Sequence, residues 1–474
     1  MKRFRNKKTS ILAVLLVVVL IANLLPLMAL ADDDPSAADA DIVMDEGAET
    51  RPEGIIIDEI DEIDEIDGEE DLIPPLEPFS DGDLILMEAD FIIEDGVLVS
   101  YLGAGGTVTI PDGVVEIATG VFRGNTTITR VICNEDLRKI GNSAFQNCTN
   151  LLRLTLNEGL QTIGELAFDG DNKIEGSLAI PQTVSSIGQY AFRNCAALTG
   201  ALVLPVNLDA IAPHTFYGCS SFTGNLVIPG SVATIGQYAF YGCNGLNGTL
   251  TLSSGIVTIG PYAFQNCNRL TGNIIIPDSV TSLGAGAFSG CSGFDGRLQL
   301  SANMTVINGD TFSGCSSVTG EVVIPDKVTT IYGNNTFYNM PKITSVVFGT
   351  GLTAYGAYLF NGDSGIVELT FKGQTVPSLN DANMFRSMSN LQQVYVPREK
   401  FDAYMAAYAP YMPSRARILI EDGGDFFIED GVLKSYMGVG GEVEIPGIVT
   451  AIGTGAFQNN KEITKVTFGE KVAT

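Results

Sequence analysis

One phenylalanine recurs along most of this chain at an almost constant spacing, and this feature constrains the fold most strongly. Successive copies are 23, 24 or 25 residues apart, and six consecutive steps from Phe168 to Phe312 are each 24 residues. Such a period is typical of repeat proteins, in which each repeat buries its apolar side by stacking on its neighbours. The sequence therefore predicts a solenoid of stacked coils. The recurring positions are Phe122, Phe145, Phe168, Phe192, Phe216, Phe240, Phe264, Phe288, Phe312, Phe337 and Phe360, with a weaker copy at Phe385.

Each repeat has the same internal order of residue types. In residues 226–243, an apolar segment ends at Pro229, which lacks the N–H that a strand ladder requires. A valine and an apolar–glycine pair follow, and a tight Ala–Phe turn then carries the large side chain of Phe240. Residues 274–291 repeat this order around Pro277 and Phe288. We expect a short strand and a turn in every coil, with the phenylalanine in a shared core.

Seven repeats also carry an inserted glycine just before the strand. A glycine at this place suggests a local bulge or a residue in the left-handed region of backbone space. The seven are Gly176, Gly200, Gly224, Gly248, Gly272, Gly296 and Gly320.

The repeated pattern I-P-x-x-V-x-x-I-G-x-x-A-F-x-x-C-x-x-L resembles the BspA-like leucine-rich-repeat family. The resemblance covers roughly residues 90 to 400 and resumes near Asp425. It implies a right-handed solenoid exposed outside the cell, often in adhesion to host proteins or other cells. The asparagine ladder of other leucine-rich repeats is missing. The predicted fold is a repeat solenoid of about twelve coils of 23–25 residues, with stacked short parallel strands and a cap at each end.

The N-terminus has the pattern of an export signal. Five basic residues lie among the first eight, an apolar run covers residues 11–22, and Ala29 and Ala31 provide the small residues that a signal peptidase reads. An uncleaved membrane anchor is the alternative, but the apolar run is short for a bilayer span. We predict a signal peptide over residues 1–31 and a secreted or cell-surface location on a bacterium.

A strongly acidic segment follows. Residues 32–71 contain 19 acids and a single base, Arg51, and in residues 57–67 an isoleucine occurs at every third position between pairs of acids. A period of three fits neither a helix nor a strand, and the charge density opposes collapse. The segment 32–83 is therefore predicted to be a disordered acidic tether. Calcium binding is the alternative, but the spaced D-x-D-x-D-G geometry is missing.

Capping segments divide the rest of the chain. Two short strands around an Asp–Gly turn at Asp95 suit the open end of a first coil. A short aromatic-bearing helix over 398–408 and a strand over 418–420 suit its other end. The first pattern then returns around Asp430. We predict one capped array over 84–422 and the start of a second array, truncated, over 425–474.

Composition and motifs argue against several function classes. Acidic residues outnumber basic ones 55 to 27, which opposes a nucleic-acid partner because phosphate binding depends on clustered Lys and Arg. His214 is the single histidine and replaces a tyrosine of neighbouring repeats, which predicts a surface or half-buried substitute. Hydrolase, nucleotide-binding, kinase and zinc-binding patterns are missing. We therefore predict a non-enzyme without cofactor or metal, and contact with a membrane only through the signal peptide before cleavage.

Seven of the eight cysteines lie three residues after the repeat phenylalanine. Exported proteins meet oxidising conditions, which favours disulfides. Stacked coils would place the Cα atoms of neighbouring cysteines within the distance that a disulfide allows. Their side chains would run parallel, however, which leaves the Cβ atoms too far apart for an unstrained bond. We favour a reduced ladder of buried thiols, with disulfides as the alternative.

The outward residue of each strand carries the functional hypothesis. Thirteen such positions run from Thr109 to Tyr395, none is charged, and seven are aliphatic or aromatic. Strand propensity on a solvated face would explain this pattern, and so would an exposed strip that contacts a partner. We slightly prefer the partner. The candidate partner-binding stripe consists of Ile132, Thr155, Val203, Val227, Thr251, Ile275, Gln299, Val323 and Val347.

The leading interpretation is an adhesin-like exported cell-surface protein that binds an extracellular protein or another cell-surface macromolecule through the solenoid face. Two alternatives remain open. The array could be a structural spacer, or it could be the targeting module of a longer exported enzyme whose catalytic domain lies beyond Thr474.

Overall fold

A computed structural model describes residues 85–88, 90–378, 382–420 and 424–473. The predicted signal peptide and acidic tether lie outside the described residues. The described chain is a β-solenoid of about 15 turns of stacked parallel strands, which confirms the predicted fold class. The turn count slightly exceeds the dozen predicted, because strands Gln393–Val396 and Arg417–Ile420 add turns beyond the last repeat phenylalanine and a second array follows them.

One side of the coils is built from the predicted apolar strands, which we call the strand face. Its strands pair in parallel, with Leu226 opposite Leu250 and Ile228 opposite Leu252. Side chains alternate along each strand, so that Leu226 and Ile228 are buried and Val227 between them is exposed. The strands of this face are Gly106–Thr109, Ile128–Ile132, Arg153–Thr155, Gly176–Ser177, Leu198–Thr199, Leu226–Ile228, Leu250–Leu252, Ile274–Ile275, Leu298–Gln299, Gly320–Ile324, Ile343–Phe348, Glu368–Phe371, Gln393–Val396, Arg417–Ile420, Gly441–Glu444 and Ile463–Thr467.

A second side is formed by two-residue strands at the apolar–glycine pair. A glycine follows eight of these twelve strands and packs directly on the preceding coil: a Cβ on Gly284 would lie 2.2 Å from the nitrogen of Pro261. At Gly284 glycine is required because the backbones approach so closely. These strands are Glu116–Ile117, Lys139–Ile140, Thr162–Ile163, Ser186–Ile187, Ala210–Ile211, Thr234–Ile235, Thr258–Ile259, Ser282–Leu283, Val306–Ile307, Thr330–Ile331, Ala354–Tyr355 and Ala451–Ile452.

The third side is the phenylalanine turn. From Phe122 to Phe360, consecutive rings stack with centroids 4.7 to 5.8 Å apart and planes within 15° of parallel. Two residues per turn have a positive φ, as at Tyr238 (54°) and Gly242 (70°). The second of these positions is glycine or asparagine from Gly124 to Gly362, the residues that adopt this conformation most readily.

Seven of the cysteines lie in the core beside this turn, and Cys133 follows strand Ile128–Ile132 on the strand face. All eight are buried and carry free thiols. The thiol of Cys243 donates to the carbonyl oxygen of Phe216, 3.1 Å away in the preceding coil. The same contact, at 3.0 to 3.2 Å, recurs at the other six repeat cysteines. A small apolar residue with a weak donor therefore both fills this position and satisfies a buried carbonyl.

Five of the seven inserted glycines adopt the left-handed conformation, one of the two alternatives expected. Gly176, Gly200, Gly224, Gly272 and Gly320 have φ between 78° and 90°. Gly248 and Gly296 are not left-handed, since their φ values are not positive. There the glycine lies close to the side-chain oxygen of Asn225 or Asn273 in the preceding coil, which leaves no room for a Cβ.

Both ends of the first array carry additional elements. Strands Ile85–Glu88, Phe91–Glu94 and Val97–Tyr101 form antiparallel pairs at one end. At the other end, helix Phe401–Tyr408 lies between the 3-10 turns Arg398–Lys400 and Ala409–Tyr411, and a further 3-10 turn covers Ala382–Phe385. Strands Phe426–Glu429 and Val432–Tyr436 repeat the antiparallel pairing before the second array. In the described part of the chain, no helix is long and apolar enough to cross a membrane.

Candidate functional site

The structure places the candidate stripe on the outside of the strand face. Val203, Val227, Ile275 and Val323 are 59%, 51%, 49% and 47% exposed. Thr155, Thr251 and Gln299 are also exposed, and Ile132 and Val347 are half-buried. The parallel register sets Val227 beside Thr251 and Ile275 beside Gln299, so stripe residues are neighbours across strands.

Toward the end of the first array, the stripe positions become less exposed to solvent. Thr370 pairs with Val347 and with Tyr395, but it is buried. Tyr395 is half-buried, and its hydroxyl donates to Gln393 Oε1 at 3.1 Å. The accessible part of the stripe therefore runs from Thr155 to Val323.

Apolar residues alternate with polar ones along the middle of the stripe. The exposed aliphatic residues Val227, Ile275 and Val323 are 48 residues apart, that is, two coils, whereas Val203, which is more exposed than any of them, lies only one coil before Val227. Each is followed two residues later by a proline, whereas a serine holds that place in the coils between. We call these three paired positions the apolar bars: Val227 with Pro229, Ile275 with Pro277, and Val323 with Pro325. Sequence reasoning missed this local alternation, which extends only from Val227 to Val323.

The strand face is less acidic than the rest of the chain. Two rows flank the uncharged stripe, two residues before and two residues after each stripe position, and several members of the second row, among them Asn134 and Ser301, are buried. Around the thirteen stripe positions, these rows contain four basic residues and two acidic ones, in a chain with a net charge of −28. The basic residues are Arg130, Arg153, Arg297 and Lys372, and the acidic ones are Glu321 and Glu368.

A groove of about 630 Å³ lies on this face, where the apolar bar at Val323 meets three cations. Its floor contains Gln299, Val323 and Val347, and Arg297 and Lys372 contribute to its lining. Lys327 is a third cation of the lining, and its Nζ donates a hydrogen bond to Asn303 Oδ1 at 2.6 Å. The lining also contains Glu321 and Asp326, so the groove combines an apolar floor with walls of mixed charge.

The single histidine belongs to a ladder of rings on the turn side. His214 lies between Tyr190 and Tyr238, with centroids 4.5 and 4.9 Å away, and is half-buried as expected. Burial and the nearby Arg193 lower the pKa of His214. Arg193 itself forms a two-pronged ion pair with Asp169 at 2.7 and 2.9 Å. A neutral imidazole between two rings is a packing arrangement, and it pairs with no nucleophile among the described residues.

Two aspartates occupy the cysteine position, and sequence reasoning did not single them out. Asp171 and Asp363 are fully buried, and each accepts a backbone N–H from the preceding coil, of Cys148 and Met340 respectively. The second oxygen of each carboxyl has no hydrogen-bond partner. Burial raises the pKa of Asp171 to about 9 and that of Asp363 to about 8. Both carboxyls are core groups, and among the described residues no cluster of three or more metal-ligating side chains occurs.

Comparison with known families gives one match. A family model described as BspA type leucine rich repeat region (6 copies) matches over residues 105–223, 171–295, 209–332, 296–409 and 440–474. A comparison with curated proteins finds no match.

Solved structures provide further likenesses. A leucine-rich repeat protein from Bacteroides ovatus is 20% identical, with 82% of this chain and 87% of that chain covered and a TM-score of 0.44. A leucine rich cell surface protein from Faecalibacterium prausnitzii is 19% identical, with 82% and 95% covered and a TM-score of 0.39. The pneumococcal vaccine antigen PcpA is 15% identical, with 71% and 98% covered and a TM-score of 0.42.

Proposed function

Because this chain belongs to the BspA-type leucine-rich-repeat family, we propose that it is a non-enzymatic exported protein that binds a macromolecular partner through its strand face. Leucine-rich-repeat solenoids generally mediate protein binding. Stacked repeats create an extended surface that is well suited to this task. The basic and apolar pattern of residues 1–22 supports export to the cell surface.

The observation that carries this proposal is the exposed, uncharged stripe. Val227, Ile275 and Val323 are about half exposed, although the strands around them bury their other apolar side chains. Aliphatic side chains that stay in water along one line of a folded surface are typical of an interaction site. The adjacent rows supply hydrogen-bonding and charged groups for the rim that such interfaces have.

The experiment places charges on this stripe. Val227→Glu and Ile275→Lys keep both side chains in solvent in the free protein, so the array should stay folded. A charge that the partner buries without an opposite charge beside it costs several kcal/mol of binding free energy, so the affinity should fall by orders of magnitude. Binding of the purified chain to an array of immobilised extracellular proteins would be measured by interferometry.

The matched controls are Gln237→Glu and Ser282→Lys, since both residues are exposed away from the strand face. We expect the controls to bind as the wild type does. If stripe and control variants bind equally well, the partner does not contact this face, and the spacer interpretation becomes the better one.

A further inference from the structure

We propose that a second copy of this chain docks on the side of the coils formed by the two-residue strands, so that the protein is an antiparallel homodimer. This side is distinct from the strand face, and the inference goes beyond the proposed function. It depends on three features of the side: its lack of charge, its symmetry and one protruding tyrosine. We call this side the threonine face and define it by residues 233–236, 257–260, 281–284, 305–308, 329–332 and 353–356.

The threonine face carries no charge over six consecutive coils. None of its 24 residues is acidic or basic, and seven of them are threonine. Asp209 interrupts the pattern in the coil before it, and after it the two-residue strands of the first array end at Ala354–Tyr355. In the middle coils, Thr281, Ser282 and Thr305 are exposed to solvent.

This lack of charge favours a second copy over a different protein. The chain has a net charge of −28, so two copies repel each other and make contact at least cost where neither presents an acid. A different protein would gain by placing cations against acidic parts of the surface. A charge-free face on such an acidic chain therefore suits contact between identical molecules.

Strand pairing arranges the side chains of the face in rows. Thr258 lies opposite Ser282 in one short parallel sheet, and Val306 lies opposite Thr330 in the next. Coils are about 4.8 Å apart, so six coils form a surface about 25 Å long. With short side chains, an interface of this length lies at the low end of the areas that specific complexes bury, so we expect a dimer with a Kd in the micromolar range.

The face also matches itself when a second copy is turned end for end. A two-fold axis across the face, midway between its third and fourth coils, pairs the third coil with the fourth, the second with the fifth and the first with the sixth. Thr281 then lies opposite Thr305 of the second copy, and Val257 lies opposite its Thr329. β-Branched side chains meet in both pairs, and such side chains pack well between two sheets.

One exposed ring fits this pairing. Tyr332 is 57% exposed, and it follows its two-residue strand at the position that Gly260 and Gly284 hold in other coils. In the antiparallel pairing, Tyr332 in the fifth coil lies opposite Gly260 in the second, which has no side chain to collide with the ring. A large aromatic side chain of this kind is typical of the residues that anchor an interface.

Sedimentation equilibrium of the full chain tests the proposal. The average mass should rise from one chain to two at micromolar concentrations. Added salt should lower the Kd, because it screens the repulsion between the two acidic copies. Tyr332→Ala and Thr305→Glu should each raise the Kd by about tenfold or more. The matched control is Thr223→Glu, since Thr223 is exposed outside the threonine face, and its Kd should equal that of the wild type. Melting curves would verify that each variant is folded.

A charge exchange tests the antiparallel pairing. Thr281→Lys and Thr305→Glu should each weaken self-association when studied alone. A mixture of the two variants should associate more tightly than either, because Lys at position 281 of one copy faces Glu at position 305 of the other.

Several results would overturn the inference. A wild type that stays monomeric up to about 100 µM would do so, since an interface of this size should form below that concentration. So would a dimer that salt weakens, equal effects of Thr223→Glu and Thr305→Glu, a mixture of charge variants that associates no better than each alone, or a dimer that Val227→Glu on the strand face dissociates.

Ser282→Lys separates this inference from the proposed function. The variant should weaken the dimer, because residue 282 lies at the centre of the threonine face. At nanomolar concentrations, where the wild type is monomeric, it should still bind the protein array as the wild type does. A wild type that is monomeric at every concentration and still binds the array through its strand face would remove the dimer and leave the proposed function in place.

Discussion

At the scale of single residues, most coils are stabilised by the same few side chains. The stacked phenylalanines fill the core, and in seven coils a cysteine beside the turn gives the carbonyl of the preceding phenylalanine a donor. These roles depend on identical residues one coil away. A substitution therefore affects its own coil and both neighbours.

Phe240→Ala tests the ladder. The ring is fully buried between Phe216 and Phe264, 5.5 and 5.3 Å away. Removing it leaves a cavity and should lower the free energy of unfolding by about 3–5 kcal/mol. Chemical denaturation would measure the loss, with Gln237→Ala as an exposed control. An unchanged transition would place the ladder outside the core.

Asp171→Asn tests the aspartates at the cysteine position. The folded pKa of about 9 lies above the ordinary value of 3.8, so the folded state holds the proton more tightly. The stability of the wild type is then complete below about pH 4 and declines as the pH rises toward 9, by at most about 1.4 kcal/mol per unit. Asparagine keeps the acceptor for Cys148 N–H and has no charge to bury.

We therefore expect Asp171→Asn to be more stable than the wild type at pH 7.5, with a smaller difference at pH 5. Melting temperatures at both values measure this, and the exposed Asp209→Asn is the control. A difference that does not grow with pH would show that the carboxyl is charged in the folded chain.

At the scale of elements, the close approach of successive coils determines where glycine is required. Gly284→Ala would place a Cβ 2.2 Å from the backbone of Pro261. The two coils would have to move apart, which should lower the free energy of unfolding by about 1–3 kcal/mol.

Gly447→Ala is the matched control, because no atom lies within 4 Å of the added Cβ. Its free energy of unfolding should stay within about 0.5 kcal/mol of the wild type. Equal effects of the two substitutions would contradict the packing described for the two-residue strands.

Much of the arrangement of strands and turns could be predicted from the sequence, because the repeat period and the residue types are enough to place them. The Phe spacing predicts the stack, and the alternation around Val227 predicts which side chains face outward. Contacts between coils could not be predicted in the same way. Gly248 is not left-handed, and a Cβ there would lie 2.2 Å from Asn225 Oδ1 in the preceding coil, a contact that the period does not predict. The lone oxygens of Asp171 and Asp363 likewise depend on what the adjacent coils present.

At the scale of the whole molecule, two hydrophobic cores follow one another along the described chain. The first extends from Ile93 to Ile420, and the second contains Leu433, Val443 and Val449. Met437 belongs to the second array in sequence but is buried in the first core. Arg417 Nη1 also donates to the carbonyl of Gly438 at 3.3 Å. The last turns of the first array are therefore covered by the start of the second.

The central claim is that a partner lies on the strand face, and photo-crosslinking tests it most directly. A benzophenone amino acid would replace Thr251, in the middle of the stripe, or Gln237, on another side of the same region. Each variant would be irradiated with a partner selected from the protein array. We predict a crosslinked adduct from position 251 and none from position 237. An adduct from 237 alone, or equal adducts from both, would contradict binding through the strand face.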